Sequence, residues 1–282
     1  MSWEALKPGA TAVVTGGASG IGLAAAKCFA ARGLNVCLAD LGTDRLAVAA
    51  EAVKSAAREG AEVMTRPTDV SVVAELEALR DSVAAHFGGT DVLMNNAGVQ
   101  PGSTVFGPAE NWQKILGVNL MGVINGVQTF VPAMIERGRP GLVVNTGSKQ
   151  GITTPPGDPA YNVSKAGVKV FTEALAHDMR ANHRPISVHL LIPGFVFTPL
   201  AAGGRTEKPS GAWTAEQTAD FMMERLAAGD FYILCPDNDV PRALDERRIL
   251  WAAGDIVENR SALSRWDPKY ADAFAAFAKL DP

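Results

Sequence analysis

The residues best suited to acid–base chemistry are Tyr161 and Lys165, which lie four apart in YNVSK. In a helix this spacing places both side chains on one face. A free tyrosine has a pKa of about 10, and a nearby ammonium group stabilises the phenolate and lowers that value. Reaching about 7 requires about 4 kcal/mol. We expect Lys165, a cationic cofactor ring and partial exclusion of water to supply it, so the pair predicts a general acid/base.

Two polar residues are candidates for work beside this pair. Ser148 follows a predicted strand in NTGSKQG, thirteen residues before Tyr161, and its hydroxyl could hold a substrate oxygen. Asn119, in GVNLMG, interrupts a helical pattern in which asparagine is not preferred. That misfit indicates a role for its amide, although an ordinary, locally bonded asparagine is the alternative.

The elements that must position these side chains are short apolar runs alternating with helical patterns. The predicted strands cover residues 11–16, 35–40, 62–65, 91–97, 142–147, 186–193 and 231–235. The predicted helices cover residues 21–32, 44–58, 72–87, 161–181 and 215–228. This alternation predicts an α/β fold with a parallel sheet covered by helices on both faces.

A glycine-rich turn opens the first helix with the sequence TGGASGIG over residues 15–22. Glycines allow a tight turn and a close approach of a pyrophosphate to the helix N-terminus, where N–H groups are unpaired. Such a turn after a first strand predicts a dinucleotide site. Asp40 closes the second strand, where a carboxylate can accept bonds from the adenosine ribose and would repel a 2′-phosphate. This predicts NAD over NADP, although Arg45 could soften the preference and Asp40 could be an ordinary strand-end residue.

Composition excludes several other classes of function. The chain has 282 residues, is 47% hydrophobic and has a formal net charge of −4, with no basic block, so we expect no nucleic-acid partner. No apolar run approaches the roughly 18 residues that span a bilayer. The N-terminus has no signal-peptide pattern, so we expect no membrane association and a cytoplasmic location. The three cysteines and four histidines lack disulfide or metal-ligand spacing, so we expect no metal.

Taken in order, these segments resemble the short-chain dehydrogenase/reductase family over about residues 9–200. The matching pieces are TGGASGIG, Asp40, TDV at 68–70, NNAG at 95–98, Asn119, Ser148, YNVSK and PGFVFT at 193–198. The resemblance implies one Rossmann-type, doubly wound domain over residues 1–282, with a seven-stranded parallel sheet. It also implies an oxidoreductase that transfers a hydride between NAD(H) and a secondary alcohol or ketone.

The resemblance implies a role for each matching residue. Tyr161 would be the general acid/base, Lys165 would lower its pKa and hold the nicotinamide ribose, Ser148 would orient the substrate oxygen, and Asn119 would help to hold a proton-carrying water chain. Asp40 would bind the adenosine ribose, and Asp69 and Val70 the adenine. The remaining cofactor contacts would be Gly16, Ser19, Gly20, Ile21, Gly22, Asn96, Ala97, Gly98, Pro193, Gly194, Val196 and Thr198.

Substrate pockets in this family draw on segments that here are mainly apolar. They offer Val99, Gln100, Gln150, Ile152, Phe195, Trp213, Met222 and Met223. Of these, Gln150, Ile152, Phe195 and Trp213 are the predicted substrate contacts, which favours a hydrophobic or aromatic small-molecule substrate. The alternative is that the Phe, Trp and Met residues only pack a lid onto the core. The lid region is predicted at residues 199–230, with a mobile loop at 201–211.

The chain departs from the family pattern at its end. A C-terminal extension, residues 236–282, replaces the expected short, glycine-rich ending and could cover a neighbour's active site or pad the surface. We expect a homodimer or homotetramer. The alternatives to an NAD-dependent enzyme are an NADPH-linked carbonyl reductase, a non-catalytic dinucleotide sensor and, with less support, a nucleotide-sugar epimerase or dehydratase. A sensor would not need the Ser148, Tyr161 and Lys165 set.

Overall fold

A computed structural model of the chain, describing residues 2–182 and 184–279, contains one parallel sheet of seven strands. The strands are β1 (Thr11–Thr15), β2 (Asn35–Asp40), β3 (Val63–Pro67), β4 (Val92–Asn95), β5 (Gly141–Thr146), β6 (Ile186–Ile192) and β7 (Tyr232–Leu234). Their order across the sheet is β3-β2-β1-β4-β5-β6-β7. The predicted seven-stranded, Rossmann-type architecture is confirmed, and each strand overlaps its predicted run.

The sheet is buried on both faces because its central strands are almost wholly apolar. Side chains alternate between the two faces, as the pleat requires. Val14 and Met94 pack on one face, whereas Val13 and Leu93 pack on the other. A strand covered on both sides carries a continuous apolar run, which is why the strands could be read from the sequence.

Helices form a layer on each face of the sheet. The helices that precede β5 in the chain are α1 (Gly20–Ala31), α2 (Thr43–Lys54), α3 (Val73–Phe87), α4 (Ala109–Ile115) and α5 (Gly122–Glu136). Those that follow are α6 (Gln150–Thr153), α7 (Pro159–Ala181), α8 (Ala215–Ala228), α9 (Arg242–Val257) and α10 (Ala271–Ala278). Residues of α1, α2 and α8 fill one core, and residues of α3, α5 and α7 fill the other.

A π-helical segment, Leu116–Met121, joins α4 to α5 without a break. The combined helix, Ala109–Glu136, is long and apolar enough to cross a membrane by length and composition alone, with a mean hydropathy of 1.4 in its most apolar window. Core helices meet the same criterion, and 56% of this window is buried inside the protein. Val127, Phe130 and Met134 pack beneath the sheet, so the helix belongs to the core.

The chain beyond β7 folds back onto its own body. Helix α9 contacts α6, and Trp251 of α9 is buried against Phe274 and Phe277 of α10. The predicted extension therefore has its own packed helices on this subunit, and residues 280–282 of it lie outside the described part. Between β6 and α8 the chain contains turns and one isolated bridge, Val196 to Trp213, across the predicted lid region.

Candidate active site

Successive strands are added towards one edge of the sheet from β1 to β3 and towards the other edge from β4 to β7. This change in strand order leaves a crevice at the carboxyl ends of the neighbouring strands β1 and β4. Ligands of open α/β sheets bind at such a switch point. A cavity of about 1000 Å³ opens there. Its wall is built from the segments that follow β1, β2, β3, β4, β5 and β6.

The glycine-rich turn forms one end of the cavity. Gly16, Ser19, Gly20 and Ile21 line it, and α1 begins at Gly20 without a side-chain cap on its first N–H groups. Gly16 has φ +64°, and a Cβ there would lie 2.8 Å from Ala97 Cα, so only glycine fits. The turn thus leaves a bare helix N-terminus facing the cavity, a site for an anion.

Gly22 does not line the cavity, and its assignment as a cofactor contact stays a prediction. Gly22 is buried, and a Cβ on it would lie 2.3 Å from the carbonyl oxygen of Gly16. Its role is to let α1 pack directly beneath the turn.

Asp40 lies at the far side of the turn, with its carboxylate largely fixed by backbone donors. Its Oδ2 accepts from the Ala18 N–H at 3.1 Å, and its Oδ1 accepts from the Leu41 N–H at 2.8 Å. The Arg45 guanidinium lies 3.4 Å from Oδ1, and Arg45 also lines the cavity. The pocket end therefore carries one ordered carboxylate with one exposed cation beside it.

The ends of β3 and β4 complete this half of the cavity. Asp69 and Val70 line it, and the Asp69 carboxylate accepts from both the backbone N–H and the hydroxyl of Ser71. Asn96, Ala97 and Gly98 line the middle. Asn96 donates to the carbonyl oxygens of residues 15 and 16, so it holds the ends of β1 and β4 together.

The other half brings Ser148, Tyr161 and Lys165 together. Tyr161 and Lys165 lie on α7, which begins at Pro159 with Asp158 as its N-cap. Ser148 follows β5, and its hydroxyl hydrogen-bonds to the Tyr161 phenol. The Lys165 ammonium lies 5.7 Å from the centre of the Tyr161 ring and donates to the Thr146 carbonyl at 2.8 Å. All three side chains line the cavity.

Burial controls the acid–base properties of this group. It raises the pKa of Tyr161 to about 12, an effect that the Ser148 hydrogen bond opposes and the Asp158 carboxylate reinforces. Burial also lowers the pKa of Lys165 to about 8. The expectation that excluding water would help to lower the tyrosine pKa was wrong in sign, because desolvation disfavours the phenolate. Neutral-pH ionisation therefore depends on nearby positive charge.

Asn119 lies in the π-helical segment and is fully buried. Its Nδ2 donates to the Val99 carbonyl at 2.9 Å, and its Oδ1 accepts from the Val99 N–H at 2.8 Å. The same Nδ2 lies 3.5 Å from the Ser164 hydroxyl on α7. Asn119 does not line the cavity but braces Val99, which does. Bulges of this kind are frequent at functional sites.

The predicted substrate residues divide into two groups. Gln150 and Phe195 line the cavity, as do Pro193, Gly194, Val196 and Thr198. Ile152 and Trp213 do not line the cavity, and their assignment as substrate contacts stays a prediction. Ile152 packs against the core near Val168, and Trp213 packs edge-to-face on Phe221.

The lid contributes differently from the expectation. Met222 and Met223 of α8 are buried in the core, as the alternative reading of the lid residues predicted. The backbone of Trp213 donates to the Phe195 carbonyl at 2.9 Å, so this residue holds the cavity wall without facing the cavity.

Several wall residues were not found from the sequence. They are Leu41, Ser71, Pro101, Gln113, Lys114, Gly117, Val118, Thr146, Gly147, Lys149, Pro199, Leu200 and Ala201. Most are neighbours of matched motifs, so adjacency was the available signal. Gln113 and Lys114 of α4 carried none, because their approach to the cavity depends on how that helix packs.

The cavity fits a nicotinamide dinucleotide on its own geometry. A bare helix N-terminus with a glycine cradle suits a pyrophosphate, and an ordered carboxylate at the end of β2 suits ribose hydroxyls. In the part of the chain that the structure describes, no group of three or more His, Cys, Asp or Glu is placed to hold a metal ion.

Comparison with known proteins agrees with this geometry. Residues 10–209 match the family described as short chain dehydrogenase. The chain is 31% identical to the D-beta-hydroxybutyrate dehydrogenase of Cupriavidus necator over 227 residues, covering 79% of this chain and 85% of that enzyme. It is 35% identical to 3beta-hydroxysteroid dehydrogenase 1 of Eggerthella lenta over 195 residues, covering 69% and 73% of the two chains.

A solved structure gives the same result. The crystal structure of a short chain dehydrogenase/reductase from Burkholderia phymatum in complex with NAD superposes with a TM-score of 0.81 at 33% identity, covering 90% of this chain and 96% of that one. The fold, the cavity and these relatives together place the chain in the short-chain dehydrogenase/reductase family, whose members are oxidoreductases that use a nicotinamide cofactor.

Proposed function

We propose that this protein is an NAD-dependent alcohol dehydrogenase/ketone reductase, acting on a hydrophobic secondary alcohol or ketone with Tyr161 as the general acid/base. The observation that carries the proposal is the meeting of Ser148, Tyr161 and Lys165 on the wall of a cavity shaped for a dinucleotide. A binding protein would need the cavity, but it would not need a buried phenol between a hydroxyl and an ammonium group.

The chain's own residues would handle the substrate oxygen and its proton. In the oxidation direction, the Tyr161 oxygen takes the hydroxyl proton of the alcohol while Ser148 donates a hydrogen bond that fixes the substrate oxygen. A bound, oxidised nicotinamide cofactor would supply the hydride acceptor and a positive charge to this site. Lys165 is held by the Thr146 carbonyl with its ammonium 5.7 Å from the centre of the Tyr161 ring, where its charge favours the phenolate.

The preference for NAD rests on Asp40. Its carboxylate is ordered by two backbone N–H groups and faces the cavity, so a 2′-phosphate would meet an anion there. NADP is the second candidate because the Arg45 side chain is 64% exposed, lines the cavity and could turn towards a phosphate. Equal or better kcat/KM with NADP would favour this second candidate.

The substrate preference rests on the apolar part of the wall. Val99, Phe195, Val196, Pro199 and Leu200 line the cavity. The ammonium of Lys149 at the same wall is paired with carboxylates. The two relatives are named for a small hydroxy acid and for a steroid, and this wall favours the larger, uncharged type.

Absorbance of reduced nicotinamide provides the test. The protein is mixed with NAD, or separately with NADP, and a panel of aliphatic, aromatic and steroidal secondary alcohols together with 3-hydroxybutyrate. Tyr161→Phe should lose nearly all turnover, because it removes the proton acceptor, while NADH binding stays close to normal. Tyr232→Phe is the matched control, since that phenol lies on the surface against Glu173.

The outcomes separate the candidates. Turnover with NAD that disappears in Tyr161→Phe and survives in Tyr232→Phe supports the proposal. Near-normal turnover in Tyr161→Phe would refute the role of the tyrosine. Tight NADH binding without turnover on the whole panel would favour the dinucleotide sensor. The homodimer or homotetramer, the cytoplasmic location and the single domain over residues 1–282 stay predictions.

A further inference from the structure

A buried ionic cluster lies directly behind the candidate active site, formed by Lys149, Asp237 and Asp245. The Lys149 ammonium lies 3.2 Å from Asp237 Oδ2 and 2.5 Å from Asp245 Oδ2. The three side chains are 15%, 7% and 6% exposed, so the cluster is largely shielded from water. Ion pairs with this degree of burial are strongly coupled, and losing one partner leaves an uncompensated charge.

The cluster joins segments that are far apart in the chain. Lys149 immediately follows Ser148, after β5. Asp237 follows β7, and Asp245 lies in the first turn of α9. The C-terminal extension therefore supplies both carboxylates that hold the residue next to Ser148.

The segment after β6 is held by the same cluster. Asp237 Oδ2 accepts from the Phe195 N–H at 3.2 Å, and the Lys149 N–H donates to the Pro193 carbonyl at 3.2 Å. A Cβ on Gly194 would lie 2.5 Å from Asp237 Oδ2 and 2.8 Å from Lys149 Nζ. The charged groups thus pack directly on the backbone of residue 194, which lines the cavity.

The extension also holds the lid through a second contact. The Asn238 side-chain amide donates to the carbonyl oxygens of Ser210 and Ala212. The next residue, Trp213, is bonded through its backbone to Phe195 and Phe197. A closed set of contacts therefore runs from the extension to both segments that cover the cavity.

We propose that Lys149 is a positioning residue through which Asp237 and Asp245 of the C-terminal extension fix both Ser148 and the Gly194–Phe195 backbone. The extension thus supports the active-site wall of its own subunit from behind. This inference rests on the proposed function for its kinetic consequence, but its structural consequence, a rigid 193–198 segment, does not depend on turnover.

The experiment combines hydrogen–deuterium exchange, NADH titration by fluorescence and steady-state kinetics on the full chain. The main variant is Asp245→Asn, which keeps the side-chain shape and removes one charge. Lys149→Met is the stronger perturbation, but it leaves two carboxylates unpaired and can fail to fold. Lys149→Arg tests rescue, because arginine keeps a cation between the two carboxylates.

Asp255→Asn is the matched control. Asp255 lies on the same helix, pairs with Arg260 at 2.9 Å and has a similarly shielded side chain, but it has no contact with the cavity wall. We expect this variant to lower Tm while leaving exchange in residues 193–198, NADH affinity and kcat unchanged.

We expect Asp245→Asn and Lys149→Met to accelerate exchange in residues 147–152 and 193–198 about tenfold. Without the ion pairs of the cluster, local opening of these segments costs less free energy. NADH should bind more weakly, and kcat should fall about 10- to 100-fold, the scale of a small misplacement of reacting groups. Lys149→Arg should recover much of the protection from exchange, the NADH affinity and kcat. A lowered Tm with exchange, NADH affinity and kcat all unchanged would overturn the inference, because it would leave the cluster with a purely structural role.

The same experiment separates failure of the inference from failure of the proposed function. If wild-type protein gives no turnover on any alcohol, the proposed function fails, and exchange and NADH binding still decide the inference. If wild-type protein turns over and Asp245→Asn matches it in all three measurements, the inference alone fails.

Discussion

Replacing Lys165 with methionine is expected to stabilise the folded protein while abolishing turnover. Burial lowers the pKa of Lys165 from 10.5 to about 8. That change corresponds to about 3 kcal/mol of folding free energy lost while the group is charged, at about 1.4 kcal/mol per pKa unit. Removing the hydrogen bond from this charged group to the Thr146 carbonyl offsets about 1.5–3 kcal/mol. Lys165→Met should therefore be about 1 kcal/mol more stable than wild type at pH 7.

The stability difference between Lys165→Met and wild type should depend on pH, because Lys165 titrates at different pH in the folded and unfolded states. Between about pH 8 and 10.5 the unfolded lysine still binds a proton that the folded one has lost, so wild-type stability rises with pH in that window. Below pH 8 both states are protonated and the destabilisation is complete. The advantage of Lys165→Met should thus be largest at pH 7 and should shrink steadily from pH 8 upwards.

Urea unfolding followed by tryptophan fluorescence at pH 7, 8, 9 and 9.5 measures the difference, since comparing two variants cancels the titration of all other groups. Lys169→Met is the control, because Lys169 lies one turn further along α7 and is partly exposed beside Glu173. It should change stability little at any of these pH values. A less stable Lys165→Met at pH 7, or a difference that stays constant to pH 9.5, would refute the reasoning.

Two further substitutions test the dinucleotide half of the cavity. Asp40→Ser should raise the ratio of kcat/KM with NADP to that with NAD by about 100-fold, because about 3 kcal/mol of repulsion of a 2′-phosphate is lost and Arg45 is released. Gly22→Ala should weaken NADH binding by at least about tenfold, because its Cβ would push on the Gly16 carbonyl and overpack the turn. Steady-state kinetics and fluorescence titration measure the two effects.

Each has an outcome that contradicts it. An unchanged coenzyme ratio in Asp40→Ser, with Asp44→Ser as the control on the exposed start of α2, would remove Asp40 as the determinant. Normal NADH affinity in Gly22→Ala would show that the turn can shift without consequence, and that the contact with Gly16 is not what shapes the cradle.

Much of the sheet could be predicted because each buried parallel strand is visible in the local sequence as a short continuous apolar run between turn residues. Helix α8 was predicted to the residue, since Thr214 and Gln217 form a capping box and Gly229 ends the helix in a left-handed conformation. The start of α7 was placed two residues late. Asp158 as N-cap and Pro159 in the first turn were the missed signals.

The cavity wall was harder to predict because it depends on packing between distant segments. Trp213 and Phe195 both look like substrate contacts in the sequence, and only the isolated bridge between their segments decides which one faces the cavity. The partners of Lys149 lie 88 and 96 positions further along the chain. No local pattern connects them, and the two helices of the extension gave no clear helical prediction.

The π-helical segment has a consequence for how the sequence of this helix can vary. A π turn holds one residue more than an α turn, so everything beyond it is rotated by about 100° relative to a regular helix. That rotation lets α4 present Gln113 and Lys114 to the cavity while α5 presents Val127 and Phe130 to the core. Deleting one residue from Leu116–Met121 would remove this rotation, so the cavity-facing residues of α4 and the core-facing residues of α5 would lie on the same face of the helix. A length change of one residue here should thus be less tolerated than almost any substitution.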